Sequence, residues 1–429
     1  MAQDENLQLT YEEAVNIALR ENIQIKQQEN ILETSRAERA QAYAQFLPSV
    51  NARATFQRQI GRVPDPNTFR LIDATSDFVN MGLEASYNIF NGFANINQLR
   101  YANKATEAQF YQINSTKQEV IFNVSQQYLQ VLLNQELLRI ARSNLEQQNE
   151  LAESIKIFVE AGTRNIADQY NQEAEAKRAA LTVVESENQL TVSKVKLIRI
   201  LQIDPFKSWQ FAEPSIETES LLNEDFDMAS IYNSAIGNRP DLSAQQLTVE
   251  ANQYQLRFSK SNYFPSLTFG YSYGTRYSSN DDAFTFNEQI TQANLTHFFS
   301  LGLFIPIFQN LQNRTLVQRS KQLLSNSMLD LEDLERNIFE QVQTAIADYE
   351  TAQERIVAAE SQVRAAEKAL EAEKERFRLG VGNVLDLNRV NAAYVEALST
   401  KAQADYQIIF QKTALDYYQG TLQKNSSGL

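Results

Sequence analysis

The stretch that decides the fold is Val342–Phe377, which reads VQTAIADYETAQERIVAAESQVRAAEKALEAEKERF. Apolar residues here form two rows in which every step is seven residues, and the first row begins well before this stretch. The rows are Val317, Leu324, Leu331, Ile338, Ala345, Ala352, Ala359 and Ala366, and Val342, Tyr349, Ile356, Val363, Leu370 and Phe377. A helix that keeps a heptad pattern supercoils against partner helices. At about 1.5 Å per residue, a helix from Leu311 to the turn at Gly380 would span on the order of 100 Å.

Composition excludes several classes of function. The 429 residues are 43% hydrophobic and 21% charged, and the net charge of −14 argues against a general nucleic-acid binder. The sequence has no cysteine, which excludes disulfides and thiolate metal sites, and its single histidine, His297, excludes a histidine cluster. We find no phosphate-binding loop and no nucleophile elbow. We therefore expect neither an enzyme nor a cofactor, and no bound metal.

The two ends of the sequence carry little fold information. Met1–Asn6 is polar from its second residue, and we interpret it as the start of a mature chain with an added Met and without its signal peptide. A cytosolic protein that has no signal is the alternative. No window of about 20 apolar residues exists, so no transmembrane helix is predicted. Lys424–Leu429 is predicted to be disordered.

The two halves of the chain align at an offset of 217 to 218 residues, which indicates a tandem repeat. The matching landmarks are Phe46-Leu47-Pro48 with Tyr263-Phe264-Pro265, Ile89–Gly92 with Ile307–Asn310, and Ala161–Asp168 with Leu379–Asp386. We assign residues 1–217 to the first repeat and 218–429 to the second. Each is predicted to contain a helix, two strands, a very long helix, a turn and a long helix. The first helices are predicted at Tyr11–Gln45, with a Thr10–Glu13 capping box, and at Phe226–Asn262, interrupted near Gly237–Pro240.

The strands are predicted from alternating apolar and polar residues. They fall at about 49–60 and 78–90 in the first repeat and at about 265–277 and 292–306 in the second, and the tips fall at about 160–168 and 378–386. Such alternation over about 10 residues is typical of outer-membrane barrels, although a soluble antiparallel sheet gives the same pattern. The connections Gly61–Asp77 and Ser278–Thr291 are predicted to be exposed loops. Four strands cannot close a barrel, because about eight are needed, so several copies of the chain must contribute.

These features together resemble the TolC-like outer-membrane efflux proteins over nearly the whole chain. The resemblance is carried by the Leu9-Thr10 entry, the Phe-Leu-Pro before the first strand, Asn88–Gly92 after the second, and the two tips. It implies a mainly α-helical homotrimer whose strands form one twelve-stranded outer-membrane barrel, continued by a periplasmic coiled-coil tube. Such proteins are passive exit ducts in the outer membrane lipid, docked by a periplasmic adaptor and an inner-membrane pump or ABC transporter.

The tips are the predicted functional sites. Gly162 and Gly380 end one helix, Asn165 and Asn383 can cap the next, and Asp168 and Asp386 then fall in its first turn. The resemblance implies that the second tip lines the periplasmic mouth, where three copies of Asp386 would form an acidic ring. The sequence departs from the family pattern at three positions: Arg389 stands where the family has a second ring acid, Gly382 where it has a tip arginine, and Phe377 where it has a gating tyrosine. We therefore expect the periplasmic mouth to be closed by apolar packing at Phe377 and Leu385.

Two sets of residues summarise this hypothesis. The predicted periplasmic constriction is Asp386, Phe377, Leu385 and Asp168, and the predicted adaptor-docking surface is Gly162, Thr163, Gly380 and Val381. The competing interpretation of Asp168 and Asp386 is that they only stabilise the helix terminus. The competing interpretation of Gly162 and Gly380 is that they serve only the turn. For the whole chain, the alternative is a soluble periplasmic coiled-coil adaptor without a channel.

Overall fold

The computed structural model describes residues 7–65, 68, 70–213, 221–222 and 224–422. The predictions for Met1–Asn6 and Lys424–Leu429 lie outside the described residues. The helices are α1 (Tyr11–Glu21), α2 (Ile23–Ala44), α3 (Ala94–Glu160), α4 (Ile166–Leu201), α5 (Met228–Asn238), α6 (Pro240–Ser261), α7 (Phe286–Glu288), α8 (Gln312–Arg378) and α9 (Val384–Tyr418). The strands are β1 (Leu7–Leu9), β2 (Ser49–Pro64), β3 (Leu71–Asn91), β4 (Trp209–Phe211), β5 (Ser266–Ser278) and β6 (Thr296–Phe304).

The long helices begin and end where their sequences provide caps. Helices α3 and α8 contain 67 residues each, and α8 coincides with the predicted heptad helix. Thr10 and Glu13 form the predicted capping box of α1. The first predicted helix is divided at Asn22, whose extended backbone separates α1 from α2, and the second is divided before Pro240. Within the described ranges, no helix combines the length and the hydropathy needed to cross a membrane.

The described chain divides into two compact units. The helical unit comprises residues 1–30, 111–243 and 332–429, and the sheet unit comprises 31–110 and 244–331. Each unit takes segments from both predicted repeats, so the units do not coincide with 1–217 and 218–429. The repeats remain a prediction about sequence similarity, whereas the units describe packing.

The helical unit is organised around two buried tyrosines. Tyr128 of α3 is fully buried and meets Tyr11 edge to face at 5.6 Å, while Tyr349 of α8 meets Phe226 in the same way at 5.0 Å. The hydroxyl of Tyr128 lies 3.0 Å from the Leu9 carbonyl and 2.7 Å from the Ala212 carbonyl, to which it donates. These two carbonyls belong to the segments of β1 and β4, which pair in parallel. We call α1, β1 and β4 the belt.

The segment that follows α4 contains the single tryptophan of the sequence. Trp209 lies in β4, and its indole Nε1 donates to the Asp204 carbonyl at 2.9 Å. On the far side of the undescribed segment, Gln353 of α8 donates to the carbonyls of Leu221 and Glu224. The described residues on either side of that segment therefore contact the long helices: Ala212 contacts α3 through Tyr128, and Leu221 and Glu224 contact α8 through Gln353.

The sheet unit contains one antiparallel sheet in the order β2-β3-β5-β6. The register places Arg53, Glu84 and Arg276 on one face, together with small polar residues and glycines. The opposite face carries exposed apolar side chains: Val50, Phe56, Ile60, Leu83, Tyr87, Phe269, Phe299, Leu301 and Leu303. Phe298 and Phe304 of β6 depart from this alternation and lie on the polar face.

The connections between strands differ from the predicted loops. Strands β2 and β3 continue their pairing to Pro64↔Leu71, so most of the residues predicted as the first loop belong to strands. An ion pair between Arg58 and Asp77, with 2.7 Å between Nε and Oδ1, joins these extensions. The second connection holds the short helix α7 and a π-helical turn at Gln289–Ala293. Gln289 is buried and donates to the carbonyl oxygens of Ser278, Asp281 and Phe284, so this connection is folded.

His297 belongs to the aromatic part of the apolar face. Its ring stacks against Tyr271 and tilts against Tyr273, and its Nδ1 lies 3.0 Å from the Tyr271 hydroxyl. These contacts are those of a structural residue.

Candidate functional site

The first tip, Ala161–Asp168, closes α3 with a Schellman motif. Gly162 adopts a φ of 74° and donates to the Val159 carbonyl, while Thr163 donates to the Phe158 carbonyl from both its backbone and its hydroxyl. Asn165 is the N-cap of α4, and its side chain accepts from the Ala167 amide. Asp168 follows in the first turn of α4.

The second tip, Leu379–Asp386, repeats this geometry. Gly380 has a φ of 77° and donates to the Phe377 carbonyl, and Val381 donates to the Arg376 carbonyl. Asn383 caps α9 by accepting from the Asp386 amide at 2.7 Å. The predicted caps Asn165 and Asn383 are thus confirmed, and both glycines occupy the left-handed position that closes the motif.

The predicted docking residues lie on the surface of the protomer. A Cβ at Gly162 or Gly380 would meet nothing within 4 Å, so these two glycines are required by φ rather than by space. Thr163 is exposed, and Val381 is 69% exposed. All four are therefore accessible to a partner in this protomer.

The predicted constriction residues have different surroundings. Leu385 is 65% exposed and does not pack within the protomer, whereas Phe377 is half-buried. Asp386 accepts from the Asn383 side chain at 2.8 Å and lies 3.7 Å from the guanidinium of Arg389. The Asp386 carboxylate is therefore partly balanced by a cation on its own helix. For Asp168 the structure gives only the helix-terminal position.

Arg164 connects the two tips, and the sequence reasoning missed it. Its guanidinium carbon lies 4.8 Å from the centroid of the Phe377 ring, and its Nη2 donates to the Gly382 carbonyl at 3.2 Å. Arg164 and Gly382 are equivalent positions of the two predicted repeats, 218 residues apart. The sequence did contain a signal for this contact, because one repeat has a long cationic side chain at the position where the other has glycine. The predicted apolar closure at Phe377 therefore omits the cation that covers its ring.

Two further hydrogen bonds join the helical hairpins α3–α4 and α8–α9 near the tips. Asn388 Nδ2 donates to Gln172 Oε1 at 2.8 Å, and Asn391 Nδ2 donates to Asn144 Oδ1 at 2.9 Å. Gln172 is fully buried and also donates to Gln148. Buried amides in a heptad seam fix its register. With Arg164, these pairs form three polar contacts between the hairpins, which we call the ties.

Comparison with known proteins now assigns the family. The model of the outer membrane efflux protein family matches residues 14–201 and again 231–421. The chain belongs to this family. It is 23% identical over 389 residues to the outer membrane protein TolC of Vibrio cholerae, covering 89% of this chain and 86% of that protein. It is 25% identical over 348 residues to the pyoverdine export outer membrane protein OpmQ of Pseudomonas aeruginosa, covering 79% and 68%.

The fold agrees with that of a solved family channel. The structure of the Campylobacter jejuni CmeC outer membrane channel superposes with a TM-score of 0.85 at 17% identity, covering 98% of this chain and 86% of CmeC. As an outer membrane efflux protein, the chain is an exit channel of an efflux or secretion system, located in the outer membrane with a periplasmic extension. The family consists of channels and not of enzymes, and its match does not favour the alternative of a soluble adaptor.

Proposed function

We propose that three copies of this outer membrane efflux protein form one duct. Each copy contributes four strands to a twelve-stranded barrel in the outer membrane lipid and its helices to a coiled-coil tube across the periplasm. The tips close the periplasmic mouth, and a periplasmic adaptor with an inner-membrane pump or ABC transporter opens it. The duplicated family match supports the division into repeats at 1–217 and 218–429.

The observation that carries this proposal is the open sheet. Strands β2 and β6 lie at its two edges, and a long unpaired edge is an aggregation site unless another strand covers it. One face is apolar and exposed, while the other holds Arg53, Glu84 and Arg276. A charge facing lipid is costly, so the face with Arg53, Glu84 and Arg276 is the lumen side, and the ion pair Arg58–Asp77 on the apolar face lies where β2 and β3 extend beyond the lipid. Pairing β6 with β2 of the next copy removes every edge.

Helix α4 supports self-association in the tube. Leu181, Val184 and Val195 are 58%, 60% and 59% exposed, and their spacing of three and eleven residues places them on one side of the helix. Burying this stripe against a neighbouring copy would remove apolar surface from water at roughly 25 cal/mol per Å². The stripe thus provides a helix–helix seam to match the strand pairing.

The gate of the duct is formed by the second tip and held by the ties. Arg164 fixes Phe377 and Gly382 to the first tip, so the α8–α9 hairpin cannot move away from α3–α4 without breaking this contact. Leu385 and Asp386, next to it, then line the narrowest ring, and Asp168 lies behind them on the first tip. The exposed Gly162, Thr163, Gly380 and Val381 offer the adaptor its docking surface.

The proposal is tested on the purified full-length chain in detergent and in planar bilayers. We expect native mass spectrometry to give a trimer and the bilayer to show single-channel currents that are small with wild-type tips. A monomer in detergent that gives no current would refute the duct. Extraction from membranes without detergent would instead indicate the soluble adaptor.

A further inference from the structure

Two adjoining cavities of the helical unit form a groove between α3 and α4. One has a volume of about 410 Å³, and the other about 500 Å³. Gln126 and Gln127 line both cavities, so they are continuous. The first cavity lies at Asn22, where the helical segment is interrupted between α1 and α2. The second cavity follows α4 from Asn188 to Lys196. We call them together the amide groove.

The lining of this groove is unusual for a chain of net charge −14. Amide side chains supply six of the ten residues around the first cavity and six of the nine around the second, and no acid lines either. The only charged residues of the lining are Arg199 and Lys196, both exposed. Across the described residues, neither takes part in an ion pair.

Several amides of the groove also have free side chains. Asn123, Gln126 and Asn188 make no side-chain hydrogen bond within the described part of the protein. Gln127, by contrast, donates to the Ser193 carbonyl and Asn134 to that of Gln189, so part of the lining is held in place. The free amides and the two cations can donate several hydrogen bonds to one ligand, because neighbouring amides of the lining are held in place by their own hydrogen bonds.

The second cavity of the groove lies on the side of α3 that faces away from the belt. Tyr128 points at the belt through its bonds to the Leu9 and Ala212 carbonyls. Gln126 and Gln130 stand two residues to either side of it, which at 3.6 residues per turn places them about half a turn around the helix. The inner side of a tube wall cannot hold α1 and a strand pair without filling the lumen. The belt is therefore outside, and the amide groove is inside.

We propose that the amide groove is a binding site on the inner wall for an anionic solute with several carboxylates. Arg199 and Lys196 supply the charge, since a guanidinium binds a carboxylate in a bidentate manner, and the free amides bind its remaining oxygens. Each cavity has the size of a small-molecule site. The placement in the lumen rests on the proposed function, whereas binding itself does not.

The test uses calorimetric titration of the full chain in detergent with citrate at low ionic strength. We expect saturable binding by the wild type and a loss of at least about tenfold in affinity for Lys196→Gln/Arg199→Gln. The matched control is Lys156→Gln/Lys177→Gln, which removes two unpaired charges from α3 and α4 outside the groove and should bind as the wild type does. Gln126→Leu keeps the charge and should bind more weakly.

The outcomes separate this inference from the duct. No saturable binding by the wild type, or the same loss in the control, overturns the site while leaving the channel untouched. In bilayers, citrate should reduce the wild-type current but not that of Lys196→Gln/Arg199→Gln. If citrate binds yet never reduces a measurable current, the groove is not on the inner wall and the proposal fails. A protein without any current refutes the duct, and the titration still decides the site.

Discussion

Removing Arg164 should open the duct. The guanidinium of Arg164 is the one side chain among the three ties that contacts the turn of the second tip, through the Phe377 ring and the Gly382 carbonyl. Arg164→Ala deletes both contacts and leaves each Schellman motif intact, because those use only residues of their own tip. The variant should therefore fold and assemble as the wild type does, with a weakened gate.

The magnitude follows from two small terms. A cation–π contact at a partly exposed site contributes about 0.5–1 kcal/mol, and a hydrogen bond from a charged group contributes about 1.5–3 kcal/mol before screening by solvent. Because Arg164 is only half-buried, we take about 1.4 kcal/mol for the pair in each protomer, which is a factor of about ten. If the three tips open independently, the probability that any one tip is open rises about tenfold. If they open in one concerted step, the three factors multiply and the open probability of the duct rises about a thousandfold.

The assay is the open probability of single channels in planar bilayers. Phe377→Leu keeps an apolar side chain but removes the ring face, so it isolates the cation–π part and should give a smaller increase. Arg178→Ala is the matched control, because Arg178 carries a guanidinium on α4, the helix that follows the first tip, and pairs with Glu175 three residues away.

An unchanged open probability for Arg164→Ala would refute this account of the gate, as would an equal increase for Arg178→Ala. An increase near tenfold with partly open sub-levels would show that the tips act separately. A single step to the fully open level would show that they act together.

Four further predictions concern other parts of the protein. Reversal potentials in a salt gradient should show that Asp386→Ala lowers cation preference, while Arg389→Ala raises it, because the two charges lie 3.7 Å apart on one helix; a shift of both in one direction would contradict the ring. Val381→Trp should abolish efflux in cells while leaving trimers and bilayer currents intact, and retained efflux would remove Val381 from the docking surface. Tyr128→Phe should destabilise the belt by about 0.5–1.5 kcal/mol, seen as faster amide exchange in β1 and β4, because the Ala212 carbonyl loses its hydroxyl donor while the Leu9 carbonyl keeps the Ala212 amide. Burial raises the pKa of Tyr417 to about 12, so its neutral form stabilises the fold below about pH 10 and this contribution is lost as pH rises toward 12; Tyr417→Phe should lack that part of the alkaline loss seen by circular dichroism.

The sequence predicted the regular features of the fold well because they are periodic. Heptads over Val342–Phe377 predicted α8, and Asn165 and Asn383 predicted the starts of α4 and α9, since each signal is local. Alternation predicted the strands but not their ends: polar residues near Asp73 belong to a strand extension when a partner strand continues beside them. A prediction from polarity alone therefore ended β2 too early and assigned strand residues to the first loop, Gly61–Asp77.

The candidate site was predicted less completely because it depends on tertiary contacts. Gly162 and Gly380 follow from turn chemistry that each tip contains by itself. Arg164 acts on residues more than 200 positions away, and nothing in its own neighbourhood indicates a partner. The pair Asn144–Asn391 is equally non-local, and in the sequence both residues are ordinary polar positions of a helix.

Gly382 explains how the two tips can be joined by one side chain. A Cβ at this position would lie 2.9 Å from the Phe377 amide nitrogen and 3.1 Å from Glu373 Oε1, so the turn has no room for one. Because Gly382 has no side chain, its carbonyl is accessible beside the Phe377 ring. A guanidinium from the first tip can therefore contact both the carbonyl and the ring. The first repeat thus supplies the cation, and the second supplies the carbonyl and the ring that it contacts. In the proposed duct, the gate should therefore respond to movement between the hairpins rather than to changes within either tip.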